Sequence, residues 1–275
     1  GLTSDGKSAV NDMTYIFLKV TEMLSVRDPN VNARYASGVN SDAYLKRLCE
    51  VNLATAATPS MHNDDAVIAS LGEFDYPIEH ARDWSATGCV EPTISGRHNG
   101  HTNCMMMNMV AALEMAMNNG RHPLLNVDAG PKTGEIDAGA FETFEQFFDA
   151  YCRQFEFLVA QAVEYNNMLA EAHSVIRPTP FLSSLIEGCA EKGMDMTIGG
   201  AKYNSSGIAC IGLADVSDSL LAVKKTVFDD RKTSMRELKR ALDRNFENDA
   251  ELKAYLVNRA PKFGSGNPEA LELTE

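Results

Sequence analysis

The segment Gly88-Cys89-Val90-Glu91-Pro92 places one thiol and one carboxylic acid two residues apart. Glycine before the cysteine and proline after the glutamate both favour a turn, because glycine adopts positive φ easily and proline disfavours helix at the residue before it. On an extended segment, residues two apart lie on the same face. The segment therefore predicts a rigid turn that aims the Cys89 thiol and the Glu91 carboxyl group into one pocket. A thiol beside an acid is suited to combined transfer of a hydrogen atom and a proton.

The composition of the chain is that of a globular protein, with 275 residues, 44% hydrophobic and 23% charged. Its net charge of −13 argues against a surface that binds nucleic acid or an anionic membrane. No run of about 18 apolar residues occurs, so no membrane span is predicted. The cysteines show neither a CxxC pair nor zinc-type spacing, which is typical of reduced thiols in a cytoplasmic protein and predicts no metal site. These cysteines are Cys49, Cys89, Cys104, Cys152, Cys189 and Cys210.

Segments with helical spacing of apolar residues alternate with short extended segments, which predicts an α/β fold. No internal repeat or flexible linker interrupts the chain, so one continuous fold segment is expected. Residues 59–64 are predicted as a loop, residues 84–100 as strand and loop, and residues 31–35 and 208–213 as extended. Helices are predicted over residues 10–24, 41–55, 64–71, 103–118, 143–173, 181–192, 217–228 and 234–246.

Around and beyond the cysteine segment, the chain resembles the glycyl radical enzymes of the pyruvate formate-lyase type. The resemblance implies an α/β barrel of ten strands, with the cysteine loop projecting into its centre. It also implies that residues 1–275 are a single segment of that catalytic domain, truncated at both ends. The other matching motifs cover nearly the whole chain and are Asp5-Gly6-Lys7, Asp28-Pro29-Asn30-Val31-Asn32-Ala33-Arg34, Pro59-Ser60-Met61-His62-Asn63-Asp64, Gly199-Gly200-Ala201-Lys202-Tyr203-Asn204, Ala214-Asp215-Val216-Ser217-Asp218-Ser219-Leu220 and Pro261-Lys262-Phe263-Gly264.

The resemblance implies radical chemistry at Cys89. In this family a stable radical on a glycine of a second loop takes a hydrogen atom from the cysteine thiol, and the resulting thiyl radical starts the reaction on the substrate. The family's glycine loop, of the type Arg-Val-x-Gly-Tyr, does not occur in these residues. We therefore expect no cofactor bound by this chain itself, a glycyl radical on a C-terminal glycine outside it, and no activity of this chain alone. A radical S-adenosylmethionine activating enzyme is the expected source of the radical.

The residues around Cys89 distinguish the subfamilies. Formate acetyltransferase-type enzymes have two adjacent cysteines where this chain has Gly88 before Cys89, which argues against that type. Benzylsuccinate-type enzymes have a sequence of the type Cys-Val-Ser, so Glu91 argues against them. Eliminating dehydratases and choline-type lyases share Gly-Cys-Val-Glu-Pro, usually followed by glutamine where this chain has Thr93. Arg121-His122-Pro123 resembles an arrangement found in arylacetate decarboxylases. The expected reaction is decarboxylation of an arylacetate, such as 4-hydroxyphenylacetate to p-cresol. The alternative is an eliminating lyase that acts on glycerol, another diol or choline.

The resemblance assigns a role to each candidate residue. Cys89 is the thiyl residue, Glu91 its partner acid, and His122 a proton donor or substrate-positioning base, since histidine changes charge near neutral pH. An ion pair or helix cap is the alternative role for Glu91, and a helix C-terminal position is the alternative for His122. His98 and His101 follow Cys89 by one loop and are predicted to bind substrate, with a hydrogen-bonded loop role as the alternative. The remaining histidines are expected to be structural, namely His62, His80 and His173.

Two other classes of protein stay open, a cysteine hydrolase that uses no radical and an inactive homologue. Glu91 argues against the hydrolase, because a neighbouring negative charge disfavours the thiolate that such an enzyme needs. The partners implied by the resemblance are an arylacetate substrate, the activating enzyme and, in the hydroxyphenylacetate enzymes, a small iron–sulfur subunit. A homo- or hetero-oligomer is expected, and no nucleic-acid or membrane partner.

Overall fold

The structure is a computed structural model that describes residues 1–25, 27–56 and 58–275. Within these residues helices and short strands are interspersed, so the predicted α/β fold class is confirmed. The helices are α1 (Asp12–Leu24), α2 (Asp42–Thr55), α3 (Asp64–Gly72), α4 (Ile78–Arg82), α5 (Met109–Met117), α6 (Phe144–Ile176), α7 (Pro180–Ser183), α8 (Cys189–Lys192), α9 (Leu213–Val223), α10 (Met235–Asp243), α11 (Ala250–Arg259) and α12 (Pro268–Thr274). The strands are β1 (Asn32–Tyr35), β2 (Ser60–Asn63), β3 (Trp84–Thr87), β4 (Glu91–Ile94), β5 (His98–Asn99), β6 (Met105–Asn108), β7 (Arg121–His122), β8 (Val127–Asp128), β9 (Tyr203–Asn204) and β10 (Ile208–Ile211).

The strands described by the structure associate in pairs. β1 with β2, β5 with β9, and β6 with β10 are parallel, while β3 with β4 and β7 with β8 are antiparallel. Parallel strands need a long crossover connection, and α2 supplies it between β1 and β2. The chain divides into two units, residues 1–104 with 169–207 and residues 105–168 with 208–275.

The first unit has a core built on the β1–β2 pair. Leu18 of α1 and Leu48 and Val51 of α2 are buried against Ala33 of β1. The start of α2 is fixed locally, because the Ser41 side chain accepts a hydrogen bond from Tyr44 N, as an N-cap residue does.

A buried ion pair ties β1 of the first unit to α3 and β3. Arg34 Nε lies 2.8 Å from Asp64 Oδ1, and Asp64 is fully buried. Trp84 donates from Nε1 to the same Asp64 oxygen at 2.6 Å, and the Arg34 guanidinium lies over the Trp84 ring. Because a buried carboxylate is tolerated only when it is paired and hydrogen-bonded, these contacts hold β3 in place.

The second unit has the larger apolar core. Residues of α5, the first turns of α6, α9 and α10 pack together, among them Ala112, Phe147, Leu220 and Leu238. β6 and β10 pair beside this core, with Met105 opposite Ile208. The end of α9 continues into a π-helical stretch over residues 224–229.

Several predicted elements differ from the structure. Residues 105–108 form strand β6 and not the start of a helix, because they pair with β10; α5 begins at Met109 behind Asn108, whose Oδ1 accepts from Val110 N. Residues 60–63 form strand β2 and not a loop, because they pair with β1. Residues 181–192 contain two short helices, α7 and α8, and not one. Helices α4, α11 and α12 were not predicted.

Candidate functional site

Cys89 lies at the tip of the β3–β4 hairpin in the first unit. The strands pair from Trp84 opposite Ile94 to Thr87 opposite Glu91, which leaves Gly88, Cys89 and Val90 as the turn. Gly88 has φ +64°, a conformation that glycine adopts without strain. The predicted turn is therefore present. Cys89 belongs to the turn itself, so the alternation of an extended strand does not apply to it, and its side chain is exposed.

Glu91 is the acid of this hairpin, and its carboxylate folds back over the turn. Its Oε2 accepts a hydrogen bond from Val90 N at 3.1 Å. A Cβ atom added at Gly88 would lie 3.3 Å from the same oxygen. Glycine at this position therefore leaves room for the carboxylate, and the turn brings the acid beside the cysteine residue.

The hairpin is held on both sides by polar contacts. Asn30 donates from Nδ2 to the carbonyl oxygen of Cys89 at 2.5 Å. On the strands, the Thr87 and Thr93 hydroxyl groups are hydrogen-bonded to each other, and Thr93 is buried. The turn that carries the thiol is thus attached to the segment leading into β1 as well as to its own strands.

His98 lies on β5, one turn beyond the hairpin. Its Nε2 is 2.8 Å from Ser205 Oγ, and its Nδ1 accepts from Ile94 N at 3.4 Å. Burial lowers the pKa of His98, because desolvation disfavours the charged imidazolium. Both ring nitrogens of His98 thus have partners within the protein. These contacts agree with the alternative role, in which His98 is hydrogen-bonded within its loop.

His101 stacks on His173, with ring centroids 6.1 Å apart and ring planes 26° apart. Its backbone has φ +35°, in the left-handed region that non-glycine residues seldom adopt. Both rings line a cavity of about 420 Å³ within the first unit, together with Asn99, Asn204 and Ser205. The sequence predicted His101 as a pocket residue but assigned His173 a purely structural role, and nothing local to His173 signals this pairing.

His122 belongs to the second unit, on β7 of the β7–β8 hairpin. Its Nδ1 accepts a hydrogen bond from Leu125 N at 3.3 Å. Helix α5 ends at Met117, so His122 is not a residue of a helix C-terminus as the alternative held. The first unit thus contains Cys89, Glu91, His98 and His101, and the second unit contains His122.

The charged side chains near the hairpin form ion pairs. Arg97 binds Asp83 at 3.0 Å and Glu187 at 2.9 Å, and Lys202 also binds Glu187. Among the described residues, no group of three or more His, Cys, Asp or Glu side chains is arranged to hold a metal ion. No helix in residues 1–25, 27–56 and 58–275 is both long and apolar enough to cross a membrane.

The whole chain, residues 1–275, matches the family model described as pyruvate formate lyase-like. The chain belongs to this family, which is that of the glycyl radical enzymes, and the predicted family is confirmed.

Individual relatives carry more specific names. The chain is 32% identical over 275 residues to trans-4-hydroxy-L-proline dehydratase of Clostridioides difficile, covering 100% of this chain and 34% of the relative. It is 30% identical over 269 residues to (2S)-3-sulfopropanediol dehydratase of Klebsiella oxytoca, covering 98% of this chain and 32% of the relative. The glycerol-bound B12-independent glycerol dehydratase from Clostridium butyricum gives a TM-score of 0.84 at 34% identity, covering 100% of this chain and 34% of the other.

The chain spans about a third of the length of these relatives. A decarboxylase is a more distant relative. Indoleacetate decarboxylase of Tractidigestivibacter scatoligenes is 22% identical over 246 residues, covering 88% of this chain and 27% of the relative. The family is therefore established for this chain, while the expected decarboxylation is supported only weakly.

Proposed function

We propose that the protein carrying this chain is a glycyl radical lyase of the eliminating type, in which Cys89 carries the thiyl radical and Glu91 is the acid–base partner. The observation that carries the proposal is the Glu91 carboxylate, held over the cysteine turn by Val90 N at 3.1 Å. Positioned carboxyl groups contribute typically 10²–10⁴-fold to proton-transfer reactions. The names of the dehydratases that resemble the chain support the same class.

The reaction can be written so that it balances. The Cys89 thiyl radical takes a hydrogen atom from a carbon that bears a hydroxyl group, which gives Cys89 S–H and a carbon radical. Glu91 accepts the proton of that hydroxyl group and passes a proton to the hydroxyl group on the adjacent carbon. That second hydroxyl group then leaves as water. The resulting product radical takes the hydrogen atom back from Cys89, which restores the thiyl radical. A diol thereby becomes an aldehyde and water without an external oxidant.

The other parts of the proposal concern groups outside this hairpin. The initial radical comes from a glycine that a radical S-adenosylmethionine activating enzyme oxidises. His101 contributes to a substrate pocket through the cavity that it lines together with His173, and the predicted substrate-binding role of His98 stays a prediction. The predicted iron–sulfur subunit and oligomer stay predictions.

Decarboxylation of an arylacetate is the second candidate. The similarity to indoleacetate decarboxylase and the motif Arg121-His122-Pro123 favour it. In this case His122 is the proton donor or positioning base. The hydrogen bond from Leu125 N to His122 Nδ1 leaves Nε2 as the nitrogen for that role.

Product analysis distinguishes the two candidates. The protein carrying this chain is activated anaerobically and given glycerol, propane-1,2-diol, trans-4-hydroxy-L-proline, 4-hydroxyphenylacetate and indoleacetate. Dehydrated products support the elimination, and p-cresol or skatole supports decarboxylation. An electron paramagnetic resonance spectrum measures the glycyl radical in the same samples. Turnover by the Cys89→Ser variant, with or without a radical signal, would overturn the proposed role of Cys89.

A further inference from the structure

The tip of the cysteine hairpin has few contacts that fix its position. Cys89 and Gly88 are exposed, and Val90 is 46% exposed. The hydrogen bond from Val90 N to Glu91 is local to the turn. Asn30, by contrast, binds the carbonyl oxygen of Cys89 from 59 residues away along the chain. This hydrogen bond therefore attaches the backbone of Cys89 to a distant segment of the first unit.

The Asn30 side chain is itself held in one orientation. Its Oδ1 accepts from the Ser60 hydroxyl at 3.0 Å, so its Nδ2 faces the Cys89 carbonyl oxygen. An amide whose oxygen meets a donor and whose nitrogen meets an acceptor has only one satisfactory orientation. Ser60 is the first residue of β2 and pairs with Asn32, the first residue of β1, which lies two residues after Asn30.

The contacts continue behind Asn30. Its Nδ2 also approaches Asn32 Oδ1 at 3.4 Å, and that oxygen is 2.8 Å from His62 Nε2. The His62 ring packs edge-on against Trp84, the first residue of β3. One ring contact and a series of hydrogen bonds thus lead from Trp84 of β3 through His62, Asn32 and Asn30 to the tip of the hairpin.

We propose that Asn30 is a positioning residue for Cys89, which sets where the thiol lies by holding its carbonyl oxygen. The inference rests on the proposed function of Cys89 as the hydrogen-transfer residue. Transfer of a hydrogen atom requires the reacting atoms at near-contact distance, and a misplacement of about 1 Å can cost about 100-fold in rate. Asn30 touches no reacting atom, so its effect passes entirely through the position of Cys89.

The sharpest variant is Asn30→Asp in the complete protein. The carboxylate keeps the size of the amide and an oxygen for the Ser60 hydroxyl, but it replaces the donor that faces the Cys89 carbonyl with an acceptor. The matched control is Asn52→Asp. Asn52 of α2 donates from Nδ2 to Pro59 O at 3.0 Å, the same kind of side-chain bond to a carbonyl in the same unit, without contact to the hairpin.

We expect Asn30→Asp to lower kcat by about 10- to 100-fold, with KM changed less than about twofold and glycyl radical content unchanged. The solvent deuterium isotope effect on kcat is expected to rise, because hydrogen transfer through the exchangeable Cys89 S–H becomes more nearly rate-limiting. Before activation, amide hydrogen exchange over residues 86–92 is expected to accelerate in Asn30→Asp and to stay unchanged in Asn52→Asp.

Wild-type kcat and isotope effect in Asn30→Asp would overturn the inference, and so would an equal loss of kcat in Asn52→Asp, which would indicate a general loss of stability. The Cys89→Ser variant tests the underlying function separately. If it retains activity, the proposed function fails; if it is inactive while Asn30→Asp behaves as wild type, only the role of Asn30 fails.

Discussion

Gly88 and Glu91 meet across the tip of the β3–β4 hairpin. Gly88 has φ +64°, and a Cβ atom at this residue would lie 3.3 Å from Glu91 Oε2. The glycine thus satisfies two requirements at once, a left-handed backbone and space for the carboxylate. The two requirements can be separated, because other glycines of the first unit have only one of them.

The variant Gly88→Ala is expected to lose both stability and turnover. A side chain in the left-handed region costs about 1–2 kcal/mol. In addition, the new methyl group displaces the Glu91 carboxylate by a few tenths of an ångström, and we expect turnover to fall about 10-fold. Chemical denaturation and anaerobic kinetics measure the two losses.

Gly38 supplies the matched control, since it has φ +71° and a Cβ atom there would meet nothing within 4 Å. Gly38→Ala is expected to lose a similar free energy of unfolding but to keep wild-type turnover. Equal turnover in the two variants would show that the Gly88–Glu91 contact has no role in the reaction.

The variant Glu91→Gln is expected to lower turnover by about 100-fold or more and to leave the fold intact. The glutamine oxygen still accepts the hydrogen bond from Val90 N, but the side chain no longer exchanges protons. Circular dichroism tests the fold, and kinetics with the glycyl radical quantified tests the chemistry. Glu73→Gln, at the exposed end of α3, is the control. Turnover at the wild-type rate would remove Glu91 from the mechanism.

What the sequence predicted depends on how local each determinant is. The extent of α2, predicted over residues 41–55, and the turn at Gly88 were predicted correctly, because the residues that determine them are close in the sequence. Residues 105–108 were assigned to a helix because Met106 has helical spacing with the apolar residues of α5. Their strand conformation depends on pairing with residues 208–211, about a hundred residues later, which no local pattern reports.

The same distinction applies to the candidate site. Cys89 and Glu91 were found together because one turn contains both. The bond between Asn30 and Cys89 and the stacking of His101 on His173 join residues that are distant in the chain. Asn30 was quoted only as part of a matching motif, and its contact with Cys89 could not be derived from spacing.

Two half-buried histidines, His62 and His98, predict a dependence of stability on pH. Burial lowers the pKa of His98, and burial together with the Arg34 charge lowers the pKa of His62. The unfolded chain protonates both near pH 6.5. Below that value the unfolded state therefore binds more protons than the folded state, and stability falls as the pH falls toward the lowered values. Above about pH 6.5 the two histidines are neutral in both states, so they no longer reduce the stability of the folded protein.

Unfolding midpoints between pH 7.5 and pH 5.5 measure this effect, in a range above the titration of most carboxyl groups. Wild-type protein is expected to lose stability toward pH 5.5. The double variant His62→Gln/His98→Gln is expected to show a smaller slope over the same range. An unchanged slope in the double variant would assign the pH dependence to other groups.

Gly100 lies so close to Thr93 of β4 that a side chain at Gly100 would collide with it, and this close approach predicts a measurable coupling. A Cβ atom at Gly100 would lie 2.4 Å from Thr93 Cγ2, far inside van der Waals contact. Thr93 has little room to move, because it is buried and its hydroxyl group is bonded to Thr87. Gly100→Ala is therefore expected to cost about 1–3 kcal/mol of the free energy of unfolding, as overpacking does.

The variant Thr93→Ser removes Cγ2 and keeps the hydroxyl group, so it opens the space that the new methyl group needs. In that background Gly100→Ala is expected to cost less, which gives a coupling free energy above about 0.5 kcal/mol in a double-mutant cycle. Gly72→Ala, where a Cβ atom meets nothing within 4 Å, controls for the general effect of replacing glycine. If Gly100→Ala costs the same free energy with threonine and with serine at this position, the close approach of Gly100 to Thr93 does not determine the stability of the hairpin.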